Sequence, residues 1–143
     1  MTTKTDFTDE EWARLERAPI VAGMAISLAD PGGPIEAVKE SLAAIKTVTE
    51  AAQSGGHGEL VDAVAKSVAE QARQHKSPLG DFKPRGALAG EQILDELRAV
   101  NALLTQKATP EEAAAFREWL LTAAKRSAEA AKRRARAAER FAA

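Results

Sequence analysis

Residues 18 to 29, Ala-Pro-Ile-Val-Ala-Gly-Met-Ala-Ile-Ser-Leu-Ala, carry no charge over twelve positions, and most of them are small. A helix that is apolar on every side has to be buried on every side. Small side chains at Ala18, Ala22, Gly23, Ala25 and Ala29 let neighbouring helices approach closely. The stretch therefore predicts a central helix, with the other helices as its cover. A membrane span needs about 20 apolar residues. Here Asp30-Pro31-Gly32-Gly33 stops the run too early.

At 143 residues the chain suits one domain, large enough to bury roughly 70% of the surface its unfolded form exposes. It has no cysteine, which removes disulfides, thiolate metal sites and cysteine nucleophiles together. Met1 to Glu16 carries acidic residues where a secretion signal needs a basic and then an apolar run. These features, with heavy use of Ala, Arg and Glu, point to a bacterial, cytoplasmic protein. No stretch alternates polar and apolar residues with a period of two, so no strand is expected. The fold class is all-α: a compact bundle of about five helices around the buried N-terminal apolar helix, with a long basic C-terminal helix.

Local signals place the helices. Thr8 and Glu11 form a capping box, with Phe7 and Trp12 as its hydrophobic staple. Pro19 predicts a kink or break near Arg17-Ala18, followed by the buried segment from Pro19 to Ala29. A second helix is expected from about Pro34 to Ala52, with Ile35, Val38, Leu42, Ile45 and Val48 inward. A third runs from about Glu59 to Gln74, with Leu60, Val61, Val64, Val68 and Ala72 inward. The longest loop spans His75 to Gly86, pinned by Leu79 and Phe82. A fourth helix covers about Ala87 to Lys107, with Ile93, Leu94, Leu97, Val100 and Leu104 on one stripe. Thr109-Pro110-Glu111-Glu112 is a second capping box. It opens a fifth helix whose core face is Phe116, Trp119, Leu120 and Ala123. Good helix formers and the absence of Gly and Pro after Ala124 predict that this helix continues to near Phe141.

Charge is distributed unevenly. From Lys125 onward seven basic residues face two acidic ones, a net +5, which leaves −6 on the first 124. The chain thus reads as a helical bundle domain over 1–124 and a basic Ala/Arg-rich extension over 125–143. At about 100° per residue, Arg126, Lys132, Arg133, Arg136 and Arg140 share a third to a half of the helix circumference. Ala123, Ser127, Ala130, Ala131 and Ala138 occupy the other side, broken by Arg134. The candidate contact residues for an anionic or protein partner are Lys125, Arg126, Lys132, Arg133, Arg136 and Arg140.

The patterns Phe7-x-x-Glu10-Glu11-Trp12, Ala18-Pro19-x-x-Ala22-Gly23-x-Ala25, Ala29-Asp30-Pro31-x-Gly33 and Val38-Lys39-Glu40 resemble those of a group of uncharacterised bacterial helical proteins. Ala108 to Leu121, with Pro110, Ala113, Phe116 and Trp119-Leu120, is similar to a second region of that group. The resemblance covers about half of the chain. It implies an all-helical fold and a bacterial cytoplasmic setting, and it implies no activity.

No catalytic signature is present. His57, in a glycine loop, and His75, at a helix end, lack the spacing of a helical zinc site, and no metal or cofactor is expected. Gly32-Gly33 and Gly55-Gly56-His57-Gly58 read as loop punctuation and supply no phosphate-loop Lys-Ser/Thr. Phe7, Trp12, Phe116 and Trp119 sit at core spacing. The sequence therefore predicts a non-enzymatic protein acting by protein–protein association, with itself or with a partner. An alternative is weak, sequence-independent nucleic-acid binding by the basic helix, with a salt slope of about −5. Another is a small-molecule or enzymatic site near Asp30, a carboxylate that ends an apolar helix.

Overall fold

The computed structural model describes residues 4–27, 46–51, 53–56, 58–76, 79–80, 82, 84 and 88–142. Among them the regular structure is all helix, joined by turns, with no strand. A 3-10 turn over Lys4–Asp6 leads into α1, Asp9–Ser27. We label the helical residues 46–51 and 53–54 α2. Then follow α3, Glu59–Arg73, α4, Ala89–Lys107, and α5, Pro110–Ala142. The first turns expected for the second helix, and Asp30, lie outside the described residues.

The start of α1 forms as its sequence dictates. The Glu11 amide donates to Thr8 Oγ1 at 3.1 Å, and the Thr8 amide donates to Glu11 Oε1 at 2.8 Å. Phe7 and Trp12 pack with ring centroids 5.8 Å apart. Two donors that a helix start leaves orphaned are thereby satisfied reciprocally. The Glu112 amide donates to Thr109 Oγ1 at 3.2 Å at the start of α5. His75 ends α3 in the left-handed region, at φ 58°. Its amide donates to Ala72 O, and the Lys76 amide to Gln71 O. This is the paired closure by which helices commonly stop.

Pro19 does not break α1. The helix runs through it, because residues 18 to 23 are buried without interruption and packing holds them helical. Over these six residues this is the all-round burial that the uncharged stretch predicts; Met24 and Ala25 are half-buried, Leu28 and Ala29 lie outside the described residues, and α1 packs against α3, α4 and α5. From Glu11 to Arg17, its partners on α4 step back from Lys107 to Glu96. The two helices are therefore antiparallel. The 108–109 turn folds α5 back on α4, so α5 runs in the same direction as α1. One core cluster gathers Trp12, Leu15, Leu60, Val64, Leu104 and Phe116. Farther along, Ile20 meets Ala123, with Met24 and Leu79 against them. Leu79 thus pins its loop as expected, and Phe82 does so beneath the Arg17 guanidinium, 5.4 Å from the ring centroid.

Two inward assignments fail. Ala72 is exposed in the last turn of α3. Leu94 is 45% exposed. In α4 the buried face is Ile93, Glu96, Val100, Leu103 and Leu104, and Leu94 sits about 100° round the helix from Ile93.

Candidate functional site: the outer face of the α4–α5 hairpin and the end of α5

α5 has 33 residues, about 50 Å at 1.5 Å per residue, whereas the 19 residues of α4 give about 28 Å. The end of α5 therefore has no counterpart on its hairpin partner. Small residues hold its middle close to the bundle: Ala123 and Ser127 are fully buried and Ala130 partly so. The packed part of α5 thus passes Ala124.

The six candidate contact residues do not share one environment. Arg126 is half-exposed and pairs with Glu50 of α2. That hydrogen bond holds the Glu50 carboxyl below the usual carboxylate range. Arg126 is therefore engaged in fixing α2 to α5. Lys125, Lys132, Arg136 and Arg140 are exposed. Arg133 is exposed too, with Glu129 at 3.9 Å, a long pair one helical turn away.

Sequence reasoning did not find the outer face of the α4–α5 hairpin. An apolar groove of about 360 Å³ runs there. Ala22 and Ala25 of α1 form its floor, Leu97 and Val100 one wall, Leu120 and Ala124 the other. Leu121, 54% exposed, stands on its α5 rim, and Leu94 lies one turn from Leu97 on α4. The groove is tied at one end by Arg117, whose Nε donates to Asn101 Oδ1 at 2.8 Å and whose Nη2 donates to Thr105 Oγ1 at 3.2 Å. The Asn101 bond, with Leu97 and Leu121 lining the same groove, puts Leu121 near the level of Leu97 and Lys125 near that of Ile93. The signal was present in the sequence: Leu120-Leu121 and Ile93-Leu94 each put two large apolar residues side by side, and one helix face cannot bury both.

Phe7, Trp12, Phe116 and Trp119 are core. Phe116 and Trp119 meet edge to face at 5.3 Å, and Trp12 Nε1 donates to Ser67 Oγ at 3.3 Å. Trp119 Nε1 is buried without a partner among the described residues. Trp119 also lines a cleft of about 370 Å³ between α2 and α5, with Thr47, Ala51, Thr122 and the Glu50–Arg126 pair. Glu96 is a further buried polar feature that the sequence did not announce. It is 7% exposed and takes Arg14 at 3.0 Å and Arg17 at 2.9 Å. His75 is exposed, and His57 lies outside the described residues. Among the described residues no group of three His, Cys, Asp or Glu side chains is placed to hold a metal ion. No helix among them is long and apolar enough to cross a membrane.

No protein-family model matches the chain, and neither a curated protein nor a solved structure proves detectably similar to it.

Proposed function

We propose that this protein acts by association with another protein chain, itself or a partner, and not by catalysis. The observation that carries this reading is the outer face of the α4–α5 hairpin. There an apolar groove is flanked by the exposed Leu94 and Leu121, beside a helix that outlasts its partner. Apolar surface of this kind, rimmed by charge, is what protein contact sites present. The test compares wild type with Leu121→Asp by light scattering of the purified chain and by affinity capture with mass-spectrometric identification. A homo-oligomer, or one identified bound protein, is expected for wild type and is lost in the variant. A wild-type monomer that captures no protein selectively overturns the proposal.

One observation favours a second reading. Lys132, Arg133, Arg136 and Arg140 are exposed over the last turns of α5, and regularly spaced cations suit a polyanion. The affinity for nucleic acid would be sequence-independent and fall with salt at a log–log slope of about −4 for four phosphate contacts. A filter-binding titration at low salt that finds no retention removes this reading.

A further inference from the structure

We infer that the occupant of the α4–α5 groove is a second copy of this chain, related by a two-fold axis parallel to the hairpin. The inference rests on the association reading and specifies it.

The argument is the order of side chains on the exposed face. Along α5 the exposed residues Glu118, Leu121 and Lys125 run acid, leucine, base, with Glu118 also lining the α2–α5 cleft. Their spacing of three and four keeps them on one side of the helix. Along α4 the outward residues are Glu91, Leu94 and Arg98, at the same spacing. The Arg117–Asn101 bond sets the antiparallel register. Leu121 is then level with Leu97 and one turn from Leu94, Glu118 is about 3 Å from the level of Arg98, and Lys125 is about 3 Å from the level of Glu91, within reach of these long side chains. To within one helical turn, the order along α5 therefore matches in kind, and opposes in charge, that along α4.

Within one copy these pairs do not form. Arg98 turns instead to Asp95 of its own helix, at 3.0 Å, and the groove holds α4 and α5 apart. A two-fold axis parallel to the helices preserves height and lays α5 of one copy over α4 of the other. Leu121 then covers the partner's Leu94 and closes the groove. Lys125 meets the partner's Glu91, and Glu118 the partner's Arg98. The same contacts repeat on the other side of the axis, as an isologous interface requires. A like-charge or offset pattern would have repelled itself under that operation. This one is self-complementary, and complementary charge selects both partner and register.

Sedimentation velocity on the purified full chain over a concentration series tests this. Wild type is expected to dimerise reversibly. Leu121→Asp is expected to be monomeric over the same series, with an unchanged helical circular dichroism spectrum because the residue is more than half exposed. Lys125→Glu and Glu91→Lys are each expected to weaken dimerisation roughly tenfold, and the double variant to recover most of that loss, since it restores the opposite charges in reversed order. Both reversals lie on exposed positions, so they decide the matter even if Leu121→Asp misfolds. A wild type that stays monomeric overturns the second copy as occupant and leaves the association reading to its own capture experiment. A dimer indifferent to Leu121→Asp, or single reversals that the double variant does not rescue, overturns this face and this register.

Discussion

Glu96 is a charged residue in a buried position, 7% exposed. Its carboxylate is buried against the guanidinium groups of Arg14 and Arg17, which reach it from one helix over. Removing one partner from a buried pair leaves the others uncompensated. Glu96→Ala is therefore expected to lower unfolding free energy by about 2 kcal/mol, the scale of hydrogen bonds to charged groups. The value stays below that of a fully enclosed pair because the Arg14 side chain is 39% exposed and partly screened. Urea denaturation followed by circular dichroism measures it. Glu11 and Glu50 are more exposed acids with pKa values below the usual 4.5, held there chiefly by hydrogen bonds from Lys107 and Arg126 respectively. A carboxyl whose pKa is lower in the folded chain adds stability that is complete above the unfolded value. That stability is lost as pH falls through the folded value. The urea midpoint should accordingly hold from pH 7 down to about 4.5 and then decline, on account of these two groups. Lys107→Met should flatten part of that decline by freeing Glu11.

At the scale of the element, α1 shows what the sequence could and could not convey. Its start was legible because every signal lies within a few residues: Thr8, Glu11, Phe7 and Trp12 satisfy and staple one another locally. The course of α5 to Ala142 was legible for a similar reason, since propensity acts residue by residue. The passage through Pro19 was not. Proline predicts a kink or a break, and packing on α3, α4 and α5 keeps the helix going. The burial of Glu96 and the pairing of Glu50 with Arg126 were hidden too, because their partners are 79 and 76 positions away. Leu94 was misplaced because adjacent apolar residues such as Ile93 and Leu94 look equally buried until a partner helix chooses between them. The small side chains of α1 set how closely its neighbours approach. Ala18 is fully buried, so Ala18→Leu should cost about 1–3 kcal/mol by overpacking, read as a lower thermal midpoint with helix content retained.

For the whole molecule, the question is where the bundle ends. Ala123 and Ser127 are fully buried, whereas Lys132, Arg133, Arg136 and Arg140 are exposed. Ending the chain after residue 131 is expected to leave the fold and its cooperative melt intact. Ending it after residue 121 is expected to unfold it, because the cover over Ile20 goes with Ala123. Thermal melts of the two truncations separate these outcomes. If the shorter deletion also unfolds the protein, the end of α5 belongs to the core.

The central place of α1 also bears on how the chain is made. The helix that the others cover leaves the ribosome before any of them. Its stabilising contacts reach forward 55 positions to Ser67, 82 to Glu96 and 96 to Lys107. Until α5 has emerged, an apolar helix waits for cover that, among the described residues, lies far ahead in sequence. Helical proteins fold fast when their contacts are local, and this architecture gives up that advantage. Nascent chains stalled between α4 and α5 are thus the species most exposed to aggregation, and the ones a chaperone that binds apolar helices would hold.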